Sequence, residues 1–323
     1  MKATPQRLKR ESALCLLAAA LLVSAHLVWH VSAADLSPPI LPPAGEAIPG
    51  EAPIHFAVMG DSQGNQTVFE RVLGRVKAED VHLVLHLGDI MHHCTSRDLE
   101  WILHELDEEN LDVPFCVVPG NHDIDKEGHG GSPWDLYNAA FGPRRYWFTC
   151  GNVLFVALDD STESCTAEDV DWIDRTLATQ GGSCNARVVF MHVPPRDPRP
   201  GKGHALHEGG EELMAVLARH DVTVVFAGHI HSYLEDRIAD IPVYITGGAG
   251  ADLQEPSDRY HYLLCTVRGD GSFTVEKEEV EGVADTDYLE YVFRVRFPGR
   301  LAPVAAVVLL LLGLGSRVAF GVL

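Results

Sequence analysis

Five short polar motifs follow short apolar runs along this sequence, and this arrangement constrains the fold more than any other feature. The motifs are GDSQ at 60–63, GDIMHH at 88–93, GNHD at 120–123, MH at 191–192 and GHIH at 228–231. Apolar runs such as Ile54–Met59 and Val81–Leu87 are typical of buried strands. A helical pattern at 65–78 lies between these two runs. The first half of the chain therefore alternates predicted strands with predicted helices.

The second half continues the alternation and then changes to strands alone. Apolar runs at 152–158, 187–191 and 222–227 are separated by helical patterns, whereas the runs at 242–247 and 260–267 have no helix between them. This order predicts parallel central strands with antiparallel additions near the end. The fold class expected from the sequence is α/β, with a central β-sandwich of mixed, partly parallel sheets flanked by helices.

Each motif places a possible metal ligand just after a predicted strand. These residues are Asp61, Asp89, Asn121, His192 and His229. In open α/β sheets, ligands bind at the carboxyl ends of the strands, where side chains distant in sequence converge. Carboxylate, amide and imidazole groups suit divalent Mn, Fe or Zn, and no thiolate occurs in these motifs. The sequence therefore predicts one metal site at this edge of the sheet.

On these motifs the chain resembles the calcineurin-like metallophosphoesterase family, over roughly residues 54–250. The resemblance implies a four-layer fold and a centre of two divalent metal ions, with Asp89 bridging both. It implies that the first ion is held by Asp61, Gln63, Asp89 and His231. It implies that the second ion is held by Asp89, Asn121, His192 and His229.

The same resemblance implies a reaction. His122 corresponds to the histidine that contacts the phosphate and protonates the leaving group, while a metal-bound hydroxide attacks phosphorus. Asp123 is expected to orient His122, in the way that carboxylates orient catalytic imidazoles. The expected substrate is a small phosphomonoester or phosphodiester.

Two departures from the family pattern leave alternatives open. Gln63 stands where many members have a histidine, and an amide oxygen is a weaker donor than an imidazole. His92 lies three residues after Asp89 and is a candidate further ligand of the first ion, with a surface histidine as the alternative reading. The alternatives to a dinuclear enzyme are a mononuclear hydrolase and a non-catalytic metal-binding ectodomain that binds a ligand or partner.

Other polar residues have weaker signals. The loop after His192 is rich in proline and glycine, and Arg196 and His204 are its candidate substrate contacts, with a solvated surface loop as the alternative. Four histidines with a strand-like setting are predicted to be packed or hydrogen-bonded rather than ligands: His55, His82, His86 and His261.

The charge and the chain ends suggest where the domain works. A formal charge of −21 argues against a nucleic-acid partner. Residues 1–33 run from basic to apolar to small side chains, which predicts a signal peptide or an N-terminal membrane anchor. Residues 34–53 are predicted to form a Pro-rich linker.

The remaining boundaries follow from hydropathy. Residues 54–283 are assigned to the phosphoesterase domain and residues 284–300 to a juxtamembrane segment. Residues 301–323 are apolar enough to predict a C-terminal transmembrane helix, with a final core helix as the alternative. The expected location is outside the cytoplasm, with the domain anchored to a membrane through one or both termini.

The cysteines predict one disulfide and two buried thiols. Six of the seven cysteines lie beyond the apolar leader, and none has CxxC spacing. Cys165 and Cys184 flank one predicted helix in loop-like surroundings, so they are the preferred pair. Cys116 and Cys265 lie in apolar strands and are predicted to be buried free thiols.

Overall fold

The structure is a computed structural model, and it describes residues 14–23, 41, 44–126, 128, 131–255, 257–282 and 307–308. Residues 37–282 form one compact unit, and residues 1–36 and 283–323 fall in a second. In the second unit, residues 14–23 are helical. None of the helices described is both long and apolar enough to cross a membrane. The predicted juxtamembrane segment and, apart from 307–308, the predicted transmembrane helix lie outside the described residues.

The larger unit is built from short strands and amphipathic helices. Its described strands are β1 (Ala47–Ile48), β2 (Ile54–Met59), β3 (Leu83–His86), β4 (Phe115–Val117), β5 (Tyr146–Cys150), β6 (Val153–Ala157), β7 (Ala186–Phe190), β8 (Val224–Ala227), β9 (Tyr233–Ile238), β10 (Ile241–Thr246), β11 (Tyr260–Val267) and β12 (Phe273–Val280). Its described α-helices are α1 (Gln66–Lys77), α2 (Ser96–Glu109), α3 (Asp135–Phe141), α4 (Ala167–Gln180) and α5 (Gly210–Arg219). A 3₁₀ turn follows α4 at Gly181–Ser183.

Two mixed sheets contain these strands. The larger sheet has the order β1-β5-β6-β7-β8-β10-β9, and the smaller has the order β12-β11-β2-β3-β4. The central pairs β6–β7, β7–β8, β2–β3 and β3–β4 are parallel. The pairs β5–β6, β9–β10, β2–β11 and β11–β12 are antiparallel. The predicted mixed, partly parallel sandwich is confirmed.

Apolar side chains hold the two sheets face to face. The ring of Phe56 on β2 meets Phe155 on β6 edge-on at 5.3 Å and Phe226 on β8 at 6.0 Å. On the outer face of the larger sheet, Ile173 of α4 and Leu217 of α5 are buried in a second apolar cluster. The buried side chains of α1 cover the smaller sheet in the same way. Burial of such rings is a major source of stability in a sandwich core.

Three of the described helices, α1, α2 and α4, begin at capping side chains. The side chain of Asn65 accepts a hydrogen bond from the backbone of Val68 at the start of α1. Thr166 and Asp169 form a reciprocal capping box at the start of α4, as the sequence predicts. From α1, Phe69 packs edge-on against His86 of β3, with 5.9 Å between the ring centroids. The layers are therefore helices, sheet, sheet and helices.

Part of the predicted linker belongs to the domain. Ala47 and Ile48 pair in parallel with Thr149 and Cys150 of β5, and the side chain of Ile48 is buried. The prediction that all of 34–53 acts as a spacer is therefore wrong for this segment. The physical reason is that β5 would otherwise present an unpaired edge, and a short strand satisfies its backbone groups.

The predicted disulfide does not form. Cys165 and Cys184 are both free thiols. They stand at opposite ends of α4, whose fourteen residues span about 21 Å at 1.5 Å per residue. A disulfide requires Cα atoms less than about 7 Å apart, so the pairing was wrong. Cys116 and Cys265 are buried free thiols, as predicted.

Candidate metal centre

Three of the predicted ligands have a left-handed backbone. The φ angles are 57° at Asp61, 53° at Asp89 and 65° at His229. Such angles are uncommon for residues other than glycine, and strain of this kind is concentrated at functional sites. Each of these residues turns the chain sharply as it leaves a strand. The turns bring carboxylate and imidazole groups to one edge of the two sheets.

The loops that carry these residues touch through their backbones. A Cβ atom added to Gly120 would lie 2.2 Å from the backbone nitrogen of Asp89, and one added to Gly88 would lie 2.6 Å from the nitrogen of Gly120. Glycine is therefore required at both positions for steric reasons. The close approach brings Asp89 and Asn121 to the same side of the site.

Asn121 lies at the centre of one ligand group. Its Oδ1 atom lies 3.0 Å from Nε2 of His192 and 3.1 Å from Nδ1 of His229. Nε2 of His192 also lies 3.4 Å from Oδ1 of Asp89. This group reproduces the predicted ligands of the second ion.

The protonation of His192 explains why these atoms face one another. Nδ1 of His192 lies 2.8 Å from the backbone carbonyl oxygen of Leu87, which can only accept a hydrogen bond. In a neutral ring the proton is therefore on Nδ1, and Nε2 presents a lone pair toward two oxygen acceptors. Nε2 of His192 and these oxygens thus face one another with no hydrogen between them. Such an arrangement is suited to binding a cation.

Two further histidines are held neutral by their surroundings. Burial, followed by the charge of His192, lowers the pKa of His229 to about 3. Burial also lowers the pKa of His231. Nδ1 of His231 lies 2.9 Å from the carbonyl oxygen of Asp252, while its Nε2 lies 3.5 Å from Oδ1 of Asp61. A neutral imidazole with one free lone pair is the form that binds a metal.

The first predicted ligand group also converges. One ligand atom from each of Asp61, Asp89 and His231 lies within 4.8 Å of the other two. Gln63 is buried beside them, and its Nε2 donates to Oδ2 of Asp89 at 3.0 Å. Its Oε1 is buried and has no hydrogen-bond partner among the described residues. A buried amide oxygen without a donor fits a cation ligand, so Gln63 is suited to the first ion.

The buried carboxylates repel one another without metal. Burial, followed by the charge of Asp89, raises the pKa of Asp61 well above its ordinary value. The same two causes raise the pKa of Asp123 to about 7. Divalent cations would compensate these charges, which is a further reason that the residues fit a metal centre.

His122 is oriented by main-chain contacts. Its backbone nitrogen donates to Oδ1 of Asp89 at 2.8 Å, and its Nδ1 lies 2.9 Å from the carbonyl oxygen of His92. These contacts fix the ring plane and the proton on Nδ1. Nε2 is thus the ring atom that remains for a substrate.

The structure places His92 at the surface, in line with the surface-histidine alternative. Its exposed ring lies 4.3 Å from His93 and 6.0 Å from His122, and it is not part of the Asp61, Asp89 and His231 group. His92 lies in a loop that carries its ring to the surface. Its main-chain carbonyl acts on the site instead, by accepting from His122.

Asp123 also has another role than the one expected. Its buried carboxylate accepts hydrogen bonds from the backbone nitrogens of Gly120, Met91 and Ile90, at 2.8, 2.9 and 3.4 Å. Among the described residues, the ring of His122 is hydrogen-bonded to the carbonyl of His92 and not to Asp123. The expectation that Asp123 orients His122 is therefore corrected: it joins the loop after β3 to the loop after β4.

Asp160 is a site residue that the sequence reasoning missed. Its buried carboxylate accepts from the backbone nitrogens of His192 and Val193 at 2.9 and 2.8 Å. The signal was present, because Asp160 also lies just beyond the carboxyl end of a strand, β6. It holds the His192 main chain in place from the neighbouring strand.

Replacing Asp160 by Ala is expected to weaken metal binding by about 10- to 100-fold, a loss typical of groups that support metal ligands. Two buried N–H groups would lose their acceptor, which costs about 1–3 kcal/mol each. Metal titration of the purified protein measures the first effect and thermal unfolding the second. Unchanged metal affinity in a folded Asp160→Ala protein would contradict this role.

The two candidate substrate contacts have different outcomes. The guanidinium of Arg196 makes a bidentate pair with Asp236 of β9, with N–O distances of 3.0 and 2.6 Å. Arg196 is thus paired with an acid of the edge strand, and its role as a substrate contact stays a prediction. The ring of His204 lies 5.9 Å from that of His229, so His204 stands beside the second ligand group.

The four histidines predicted to be structural have such contacts. Nδ1 of His55 lies 2.9 Å from the hydroxyl of Thr266, and the backbone nitrogen of His55 donates to His82. Nε2 of His86 lies 3.0 Å from the hydroxyl of Ser62, and burial lowers the pKa of His86 to about 3. His261 is buried, and its Nδ1 lies 2.7 Å from the carbonyl oxygen of residue 259. These predictions are confirmed.

Comparison with known proteins agrees with this geometry. The family model of the calcineurin-like phosphoesterases matches residues 54–233. Serine/threonine-protein phosphatase CPPED1 of Bos taurus is 24% identical over 202 residues, covering 56% of this chain and 63% of that protein. Purple acid phosphatase 21 of Arabidopsis thaliana is 29% identical over 229 residues, covering 63% of this chain and 51% of that protein. The chain thus spans between half and two thirds of these relatives.

A solved structure shares the fold. Purple acid phosphatase PPD1 from yellow lupin (Lupinus luteus) seeds superposes with a TM-score of 0.60 at 16% identity, covering 71% of this chain and 52% of that chain. At this identity the likeness concerns the fold alone. The family match covers more than half of the present chain and includes every motif from Asp61 to His231. The chain therefore belongs to the calcineurin-like phosphoesterase family.

Proposed function

We propose that this protein is an exported, membrane-tethered, metal-dependent phosphoesterase that hydrolyses a small phosphomonoester or phosphodiester. The observation that carries the proposal is the meeting of acceptor atoms around Asn121, where Oδ1 lies 3.0 Å from Nε2 of His192. A bound cation accounts for this contact, because Nδ1–H of His192 donates its hydrogen bond to the carbonyl oxygen of Leu87 and Nε2 then faces Oδ1 as a lone pair. The phosphatase names of the relatives support the same reaction class.

The residues present fit two divalent ions. Asp61, Gln63, Asp89 and His231 would hold the first, and Asp89, Asn121, His192 and His229 would hold the second. When bound, the ions would lower the pKa of a water molecule and offset the charge that develops on the phosphoryl oxygens. The mixed oxygen and nitrogen ligands suit Mn, Fe or Zn.

The protein's own groups would complete the reaction. His122 is placed beside Asp89, and its Nδ1–H is held by the carbonyl of His92. In the doubly protonated ring, Nε2–H would give its proton to the leaving oxygen, while Nδ1–H keeps its hydrogen bond. His204 stands next to His229 and would contact the ester from the rim. Asp123 and Asp160 would hold the loops that carry the metal ligands in place through hydrogen bonds from their backbone nitrogens.

The proposed location rests on the two ends of the sequence. Residues 1–33 have the order of a secretory leader or anchor, and residues 301–323 are apolar enough to span a membrane. The test is to treat intact cells that express the full chain with protease. Digestion of the domain without cell lysis supports an external domain, and protection until lysis contradicts it.

His122→Ala is the sharpest test of the activity. The full-length chain in detergent is assayed with model phosphomonoesters and phosphodiesters in Mn²⁺. We expect kcat/KM to fall by about 10²- to 10⁴-fold, the usual value of a general acid, with the bound metal retained. His220→Ala is the matched control, because His220 pairs with Asp174 outside the ligand groups; it should leave the rate within about twofold.

Metal analysis of the same samples separates the alternatives. Two ions per chain with hydrolysis support the proposal. One ion per chain with hydrolysis would indicate a mononuclear enzyme. Bound metal without hydrolysis of any ester above the His122→Ala level would favour the non-catalytic ectodomain.

A further inference from the structure

A polar cavity of about 770 Å³ opens beside the metal centre and contributes no ligand to it. It is bounded by the start of α3, the segment before β5, the end of β6 and the start of α4. Its lining includes Trp134, Arg144, Arg145, Asp159, Glu168 and Asp169. A cavity of this size is in the range of small-molecule sites.

The cavity lies at the same edge of the larger sheet as the metal ligands. Asp159 follows β6, and Arg144 and Arg145 precede the antiparallel strand β5. The carboxyl end of β6 and the amino end of β5 therefore lie at this edge. His192 follows β7, which is the next strand after β6. At about 4.8 Å between strands, the ends of β6 and β5 lie roughly 5 and 10 Å from the end of β7. A molecule about 10 Å long would reach from the ligand groups into the cavity.

A direct link joins the cavity to the metal centre. Asp159 lines the cavity, and the next residue, Asp160, holds the backbone of His192. The cavity is thus built on the same strand end that positions a ligand. The two sites are adjacent but use different side chains.

The walls of the cavity are fixed by ion pairs and an aromatic ring. The guanidinium of Arg144 lies 4.0 Å above the ring of Trp134 and pairs with Asp159. Arg145 pairs with Asp169 at 2.5 Å and with Glu168 at 3.2 Å. Such pairs hold the polar groups in place before a ligand arrives, which reduces the entropy cost of binding.

The charge of the lining limits the ligand class. Two guanidinium groups face three carboxylates, so the cavity has no excess positive charge for a second phosphate or a carboxylate. Each guanidinium is already neutralised by an acid. Neighbouring hydroxyl groups of one ligand can accept from a guanidinium and donate to its carboxylate partner at the same time. The indole of Trp134 adds an apolar surface for a ring.

We propose that this cavity binds the alcohol part of the ester substrate, and that this part is a neutral polyhydroxylated group such as a sugar or a cyclic polyol. The proposal rests on the phosphoesterase function proposed above. It adds the substrate class, which the metal ligands do not specify.

The kinetic test compares two esters on the full-length protein: p-nitrophenyl phosphate, which has no polyol, and glucose 6-phosphate. Asp159→Asn is expected to raise KM for glucose 6-phosphate about tenfold or more, through the loss of one hydrogen bond to a charged group. Trp134→Ala is expected to raise it by about tenfold, through the loss of the aromatic surface. The same variants should change kcat/KM for p-nitrophenyl phosphate by less than about twofold. Asn at 159 keeps an acceptor for Ser161, so the loop is preserved. Asp174→Asn, which breaks an Arg–Asp pair outside the cavity, is the matched control.

A binding test separates this proposal from the proposed activity. Methyl α-glucoside and myo-inositol are titrated calorimetrically into the full-length Asn121→Ala protein, which needs no turnover. Binding of either polyol that is lost in the Trp134→Ala, Asn121→Ala double variant supports the cavity even if no ester is hydrolysed. No binding of either polyol, binding of adenosine in their place, or equal losses on both esters in the kinetic test would each overturn the proposal.

Discussion

Asp89→Asn is expected to lower kcat/KM by about 10³-fold or more and to leave fewer than two metal ions per chain. Asp89 belongs to both ligand groups: its Oδ1 lies 3.4 Å from Nε2 of His192, and its Oδ2 accepts from Gln63 at 3.0 Å. An asparagine has only one oxygen, so it cannot present an oxygen to each ion. Hydrolysis assays and elemental analysis of the same preparation measure the two effects.

The same substitution should not destabilise the metal-free protein. The charge of Asp89 contributes to the raised pKa values of Asp61 and Asp123, so its removal relieves repulsion among buried carboxylates. We therefore expect the melting temperature of metal-free Asp89→Asn to equal or exceed that of the metal-free wild type near neutral pH. Asp236→Asn, on the edge strand β9, is the control and should keep both activity and metal. Full activity of Asp89→Asn would refute the bridging role.

The second large effect concerns pH. We expect Asp123 to stabilise the metal-free protein at about pH 4 and to lose this contribution, a few kcal/mol, as the pH rises to about 7. The lowered pKa values of His86 and His229 act in the opposite direction, so the contribution of Asp123 is measured as the difference between wild type and Asp123→Asn. Burial raises the pKa of Asp123 from 3.8 to about 7, so the folded state keeps a proton that the unfolded state releases above pH 3.8. Stability from a raised carboxyl pKa is present at low pH and decreases through this window, then levels off. Metal ions bind the deprotonated groups, so the metal-loaded protein should not show the decrease.

Chemical denaturation at a series of pH values, with and without a chelator, measures this dependence. Asp123→Asn is the control, because it removes the titrating group at position 123. The free energy of unfolding of the metal-free wild type, relative to that of metal-free Asp123→Asn, should fall over this window. Asp61, His86 and His229 titrate in both proteins and largely cancel in this difference. A difference between the two proteins that is flat or increases between pH 4 and 7 would contradict the expectation.

The fold and most of the site could be predicted because both depend on local sequence pattern. A short apolar run followed by glycine and a polar residue marks the end of a buried strand, and strand ends meet at one edge. This rule is sufficient to bring Asp61, Asp89 and Asn121 together. Asp160 also follows a buried strand, β6, but Leu158 and Asp159 stand before it instead of a glycine, so this rule does not find it.

Where the prediction was wrong, the outcome depended on loop geometry or on distance along a helix. Asp123 lies in the loop after β4, and its carboxylate accepts from backbone nitrogens instead of contacting the ring of His122, so proximity in sequence did not indicate contact. Cys165 and Cys184 look close in sequence, but the length of α4 separates them. The ion-pair partner of Arg196 is Asp236, which lies forty residues away in the sequence.

The sequence by itself determined the fold class and the types of ligand at the strand ends, since periodicity and turn chemistry are local properties. Only the tertiary structure decided how each ligand is presented. Nδ1 of His192 is occupied by the carbonyl of Leu87, 105 residues earlier in the chain, and this contact leaves Nε2 for the ion. Gln63 becomes a suitable ligand because packing buries its amide oxygen without a donor. Both outcomes depend on long-range contacts, which no local pattern contains.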